Sequence, residues 1–124
     1  MGMDLYISEQ TDFRKDEKGR LCYTVVELHN FGSNGRVILE NLSSLDYELT
    51  NCSAKTVDAM DFLECLEKMK EQLKEINETG EDPYKSKSEL EAGIEDLESF
   101  IEENDVNEAK QYGYRTFEVH LWYS

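Results

Sequence analysis

Tyr114-Arg-Thr-Phe-Glu-Val-His-Leu-Trp-Tyr123 sets the fold class. Phe117, Val119, Leu121 and Tyr123 alternate with Thr116, Glu118, His120 and Trp122, and this period of two with aromatic and β-branched content is that of a strand. At the other end of the chain, residues 3–14 show the same alternation, with Met3, Leu5 and Ile7 on one face and Asp4, Tyr6 and Ser8 on the other. Asp16-Glu-Lys-Gly19 reads as a turn, with Gly19 free to take a left-handed conformation, and Leu21 to His29 returns as a second strand. Between these terminal strands the period changes from two to 3.6. Val57, Met60, Leu63, Leu66, Met69, Leu73 and Ile76 step by three or four, predicting a helix over 53–77 ended by Gly80. Leu90, Ile94, Leu97 and Ile101 predict a second helix over 86–105, opened by the capping-box pattern Ser86-Lys-Ser-Glu89.

The expected architecture is α+β. One domain spans 1–124, with 1–50 mainly strands. An antiparallel sheet, built from the N-terminal hairpin and the strand over 114–123, packs against two antiparallel amphipathic helices. Residues 36–42 fit a strand or a short helix. The hairpin-like Asn34-Gly35 pair tilts the reading to a strand, and Tyr47-Glu-Leu-Thr50 reads as extended. The terminal strand is expected to offer an edge for a homodimer, with Trp122 at its interface.

Composition narrows the function. The 124 residues carry 28 acids against 13 Lys and Arg, a formal net charge of −15. Such a chain repels phosphates, so direct nucleic-acid binding and docking on anionic membranes are excluded as expectations. No apolar run reaches the length of a membrane span, and the opening residues lack a signal peptide's basic and apolar regions. Cys22, Cys52 and Cys65 form an odd, widely spaced set, which fits reduced, buried thiols and a cytoplasmic location.

P-loop, dinucleotide-binding, nucleophile-elbow and zinc-protease signatures are all lacking, so no enzyme activity, cofactor or metal is expected. Two weaker constellations remain. His29 and His120 both fall in strands and would bind a metal or share a proton only if they met on one face, beside Glu27 or Glu118. The turn Asn30-Phe-Gly-Ser-Asn-Gly-Arg36, together with Arg115 and strand aromatics, would suit an anionic small molecule such as a signalling nucleotide.

The strongest signal is a run of carboxylates. Residues 89–108 hold nine acids and no Lys or Arg, over roughly 29 Å if wholly helical. Glu91, Glu95, Glu98 and Glu102 form one stripe beside the apolar face, and Glu89, Asp96 and Glu103 lie on the other side. Such a run fits a solvated face that keeps a small protein soluble, but like charges four residues apart destabilise a helix, and their standing without lysines points to a surface for a basic partner. Residues 53–110 contain 18 acids and 7 bases, leaving a net of only −4 for the rest of the chain.

The opening Met1-Gly-Met-Asp-Leu-Tyr-Ile7 resembles that of a family of small uncharacterised proteins from bacteria and their phages, which begin with a Met-Gly-Leu-Asp-Met-Tyr-Leu pattern. Tyr47-Glu-Leu-Thr50 before an amphipathic helix, a second such helix and the aromatic end at Tyr114, Trp122 and Tyr123 are similar to it as well. Where the family has a Trp-rich basic helix, this chain has Glu27-Leu-His-Asn-Phe31. The resemblance implies a phage or mobile-element setting, and it favours a helix over 36–42. With the acidic stripe, it makes an interaction protein the leading expectation. Such a protein would block the basic cleft of a nucleic-acid enzyme as a DNA or RNA mimic, in an anti-CRISPR or anti-restriction role, with Tyr112 and Tyr114 as aromatic anchors.

Overall fold

The computed structural model describes residues 2–83 and 85–123, so Met1 of the opening motif lies outside the described residues. Strand β1, Met3–Lys15, turns through Gly19 at φ +77° into β2, Leu21–Asn30. A 3₁₀ turn at Gly32–Asn34 leads to helix α1, Gly35–Ser44. Then follow β3, Ser53–Asp58, and two long helices, α2, Ala59–Thr79, and α3, Lys87–Glu103. A 3₁₀ turn at Val106–Glu108, the single-turn helix α4, Ala109–Tyr112, and β4, Thr116–Tyr123, complete the chain.

The α+β expectation holds, with one strand and two helices, one of them a single turn, more than the periodicity predicts. The sheet is antiparallel with strand order β2-β1-β4-β3. β4 pairs with β1 from Met3↔Tyr123 to Ser8↔Glu118, so the first and last strands form the centre of the sheet. Helices cover one face. Leu5, Ile7, Val57, Phe117, Val119 and Leu121 point from the strands into a core shared with Val37, Ile38 and Leu42 of α1, Phe62 and Met69 of α2, and Leu97 and Phe100 of α3. Four phenylalanines interlock at its centre: Phe100 meets Phe31, Phe62 and Phe117 at ring-centroid distances of 5.7, 5.5 and 5.4 Å, all near edge-on. The contacts Phe62 to Phe100 and Lys70 to Glu98 run in opposite chain directions, so α2 and α3 are antiparallel.

Several sequence expectations are corrected. Residues 36–42 are helical, because Val37, Ile38, Asn41 and Leu42 bury one face at the helical period and Gly35 seats the first turn directly on Leu5. A Cβ at Gly35 would lie 2.6 Å from that of Leu5. Tyr47–Thr50 has no regular secondary structure, and the Tyr47 hydroxyl donates to Asp61 at 2.6 Å. Residues 53–58 form a strand, not the first turns of a helix, since β4 needs a partner on its free side and Val57 reaches the core opposite Phe117. Asp58 then caps α2, its carboxylate accepting the Met60 N–H at 2.8 Å. The Ser86–Glu89 capping box is not formed. Asp82 takes its place, accepting the N–H groups of Ser86 and Lys87 at 2.9 Å each. Gly80 ends α2 at φ +70° as expected. β4 is interior, so the sheet's edges are β2 and β3 and the terminal strand offers none.

Candidate partner-binding surface

Helix α3 buries Leu90, Gly93, Ile94, Leu97, Phe100 and Ile101, and this fixes where its acids point. Glu91, Glu95, Glu98 and Glu102 are all exposed along the flank that meets α2. Only Glu98 has a cation nearby, Lys70 at 3.9 Å. Among the described residues no Lys or Arg lies within 4 Å of Glu91, Glu95 or Glu102. The acids are not one continuous helical run, because α3 ends at Glu103 and the chain turns at Asp105, φ +53°. From Glu89 to Glu103 the helix spans about 21 Å, shorter than the roughly 29 Å expected.

The other three predicted carboxylates divide. Glu89 and Glu103 are exposed on the opposite flank, whereas Asp96 is half-buried and already engaged. One oxygen of Asp96 lies 2.7 Å from His29 Nε2 and the other accepts from Asn34 Nδ2 at 3.2 Å, tying α3 to β2 and to the start of α1. It is a structural clamp. Tyr112 and Tyr114 are 79% and 81% exposed on either side of Gly113, whose φ is +90°.

A second row of acids lies outside the predicted set, although its spacing is readable in the sequence. Glu64, Glu67, Glu71, Glu75 and Glu78 step by three, four, four and three along the solvent face of α2, and all are exposed. The lysines of this helix border the row rather than interrupt it. Lys70 meets Glu98 of α3, Lys74 pairs with Glu78 at the end of the row at 3.9 Å, and Lys68 donates to Ser44 of α1 at 3.1 Å. The helical layer thus presents two acid rows on rigid helices with Lys70 between them.

The alternative constellations come apart. His29 faces the helices, while His120 stacks flat on Tyr6 at 4.6 Å on the uncovered face of the sheet and meets Ser8 Oγ at 3.0 Å. The two histidines therefore cannot share a metal or a proton. Among the described residues no group of three His, Cys, Asp or Glu is placed to hold a metal ion. Arg36 and Arg115 do not converge either. Arg115, at the start of β4, is held by Glu9, and Arg36 shares a cavity of about 550 Å³ with Met3 and Tyr123 at the far end of that strand, about 24 Å away. Arg36 also lines a groove of about 780 Å³ with Glu40, Glu75, Glu81, Asp82 and Glu89, an acidic surrounding that repels anions. Of the three thiols only Cys65 is buried. Cys52 is exposed and Cys22 half-buried, against the expectation that all three are core residues.

No protein-family model, curated protein or solved structure matches the chain. No helix among the described residues is long and apolar enough to cross a membrane.

Proposed function

We propose that this protein is a phage- or mobile-element-type interaction protein that occupies the basic cleft of a nucleic-acid-handling defence enzyme, of the CRISPR or restriction kind, in the host cytoplasm. It is not itself an enzyme. The observation that carries the reading is the pair of exposed acid rows, Glu64–Glu78 on α2 and Glu91–Glu102 on α3, held on helices whose other faces are locked into the core. A basic cleft built for phosphates is attracted at long range by such a surface and meets carboxylates that lose little freedom on docking. Tyr112 and Tyr114, beside the C-terminal end of α3, add apolar area at low entropic cost. The nucleotide-binding alternative loses support, because Arg115 is occupied and Arg36 sits among carboxylates.

The test is capture of a defence nuclease from host lysate on the immobilised protein, at low and high salt. Glu91, Glu95, Glu98 and Glu102 changed together to Gln should abolish capture, and so should high salt. Retention of the same enzyme by the neutralised variant, or indifference to salt, would refute the proposed surface.

A further inference from the structure

The hairpin of β1 and β2 is longer than the sheet it belongs to. β4 pairs with Met3–Ser8 only, so the distal half of the hairpin, from Glu9 to Lys15 and back from Leu21 to Val26, projects as a two-stranded arm with no third strand. Its apolar side chains are uncovered: Phe13, Leu21 and Val25 are 60%, 68% and 57% exposed, and Tyr23 and Val26 are exposed too. A two-stranded ribbon of this kind is marginal in water by itself. β2 is moreover a sheet edge whose stretch Leu21 to Val26 contains no charge and no proline, its pairing with β1 shifting register opposite Tyr23 and at Leu28.

Charge singles out the occupant. Residues 10–26 carry four bases, Arg14, Lys15, Lys18 and Arg20, against three acids, a net of +1, while the rest of the chain totals −16. A second copy's acidic body is attracted by the bases of the arm and repelled by the acid-rich helices. Antiparallel pairing of two β2 edges about a two-fold axis near Thr24 sets Tyr23 opposite the partner copy's Val25 and Cys22 opposite its Val26, aromatic and β-branched pairs with no like charges facing. The same antiparallel sense lays each basic tip along the other copy's acidic body, past its Glu27 and toward the α3 flank that carries Asp96 and Glu89, which sits beside the end of β2.

We infer that two copies of this chain join through the edges of their β2 strands into a symmetric dimer with one continuous eight-stranded sheet, each basic arm tip seated on the other copy's acidic flank. The inference is independent of the proposed target. Dimerisation leaves Glu91, Glu95, Glu98 and Glu102 on the flank away from β2 uncovered.

Sedimentation velocity and native mass spectrometry test it directly. The wild-type chain should run as two 14.4 kDa copies. Val25→Lys should weaken the dimer at least about tenfold, whereas Trp122→Lys, at the other end of the sheet, should leave it unchanged. Circular dichroism checks that both variants fold. Hydrogen exchange of the wild type gives a reading that needs no variant, because the amides of residues 21–27 should gain protection as concentration rises. A monomeric wild type, protection that ignores concentration, or a dimer lost on Trp122→Lys and kept on Val25→Lys would overturn the inference.

Discussion

The guanidinium of Arg115 grips the carboxylate of Glu9 with two parallel hydrogen bonds, Nε to Oε2 at 2.8 Å and Nη2 to Oε1 at 3.0 Å. The pair sits where the hairpin leaves the four-stranded sheet. Arg115 also donates through Nη1 to the Asn104 carbonyl at 2.6 Å and lies 4.7 Å from the centre of the Phe117 ring. One side chain therefore joins the root of the arm, the end of α3 and the start of β4. Arg115→Ala should lower stability by about 2 kcal/mol in urea unfolding, and Arg115→Lys should recover only part of it, because an ammonium cannot reproduce the fork. An Arg115→Ala protein as stable as wild type would show the fork to be incidental.

Gly93 predicts a packing defect of the opposite kind. A methyl group there would collide with Val37 of α1 and stand 3.0 Å from the end of Met69 of α2. Alanine favours a helix by about 1 kcal/mol over glycine, whereas overpacking costs about 1–3 kcal/mol. Gly93→Ala should destabilise the protein on balance, and combined with Val37→Ala the loss should be smaller than the sum of the two single losses. Additive losses in that double-mutant cycle would mean that the helices simply shift apart.

The thiols should separate by reactivity. Burial pushes the Cys65 thiol up to about 12, with the carboxylate of Asp61 adding to the effect. Under native conditions at mild alkaline pH, a disulfide reagent should label Cys52 first and leave Cys65 unreacted until the chain unfolds. Rapid native labelling of Cys65, read by peptide mapping, would contradict its placement.

Asp82 carries a pH dependence with a definite sign. The N–H groups of Ser86 and Lys87 hold its carboxyl below the ordinary value of 3.8. A depressed folded-state pKa adds stability that is fully present above the unfolded value and is lost as the pH falls through the folded one. The melting-temperature gap between wild type and Asp82→Ala should therefore be constant above about pH 5 and close below the normal carboxyl range. A gap that persists in strong acid would assign the stabilisation to something other than the ionised cap.

Much of this fold is legible in the sequence where a single period governs an element. The alternation in β1 and β4 and the four-three-four spacing in α3 each point to one structure. Legibility fails where tertiary demands choose between two acceptable local readings. Val57 fits the helical series through Met60 and Leu63 as well as it fits a strand, and only the vacancy beside β4 decides it, although Asp58 is a readable helix cap. Val37, Ile38 and Leu42 become helical because Gly35 can sit on Leu5, a contact no local pattern encodes. In the candidate surface, the α3 row is plain because lysines are absent. The α2 row is hidden by lysines that are adjacent in sequence yet only border the row on the helix, and Asp96 drops out because His29 and Asn34 claim it.

The central pairing of β1 with β4 also sets a schedule for synthesis. Tyr123 is the partner of Met3, and the intervening chain has to be made before the middle of the sheet can close. Contacts of such sequence separation are slow to form, and a nascent chain emerges from the ribosome long before they are available. Until Tyr123 is released, β1 lacks its partner on the β4 side and β3 has no strand to pair with, so yield during expression should depend on how long that gap in the sheet stays open.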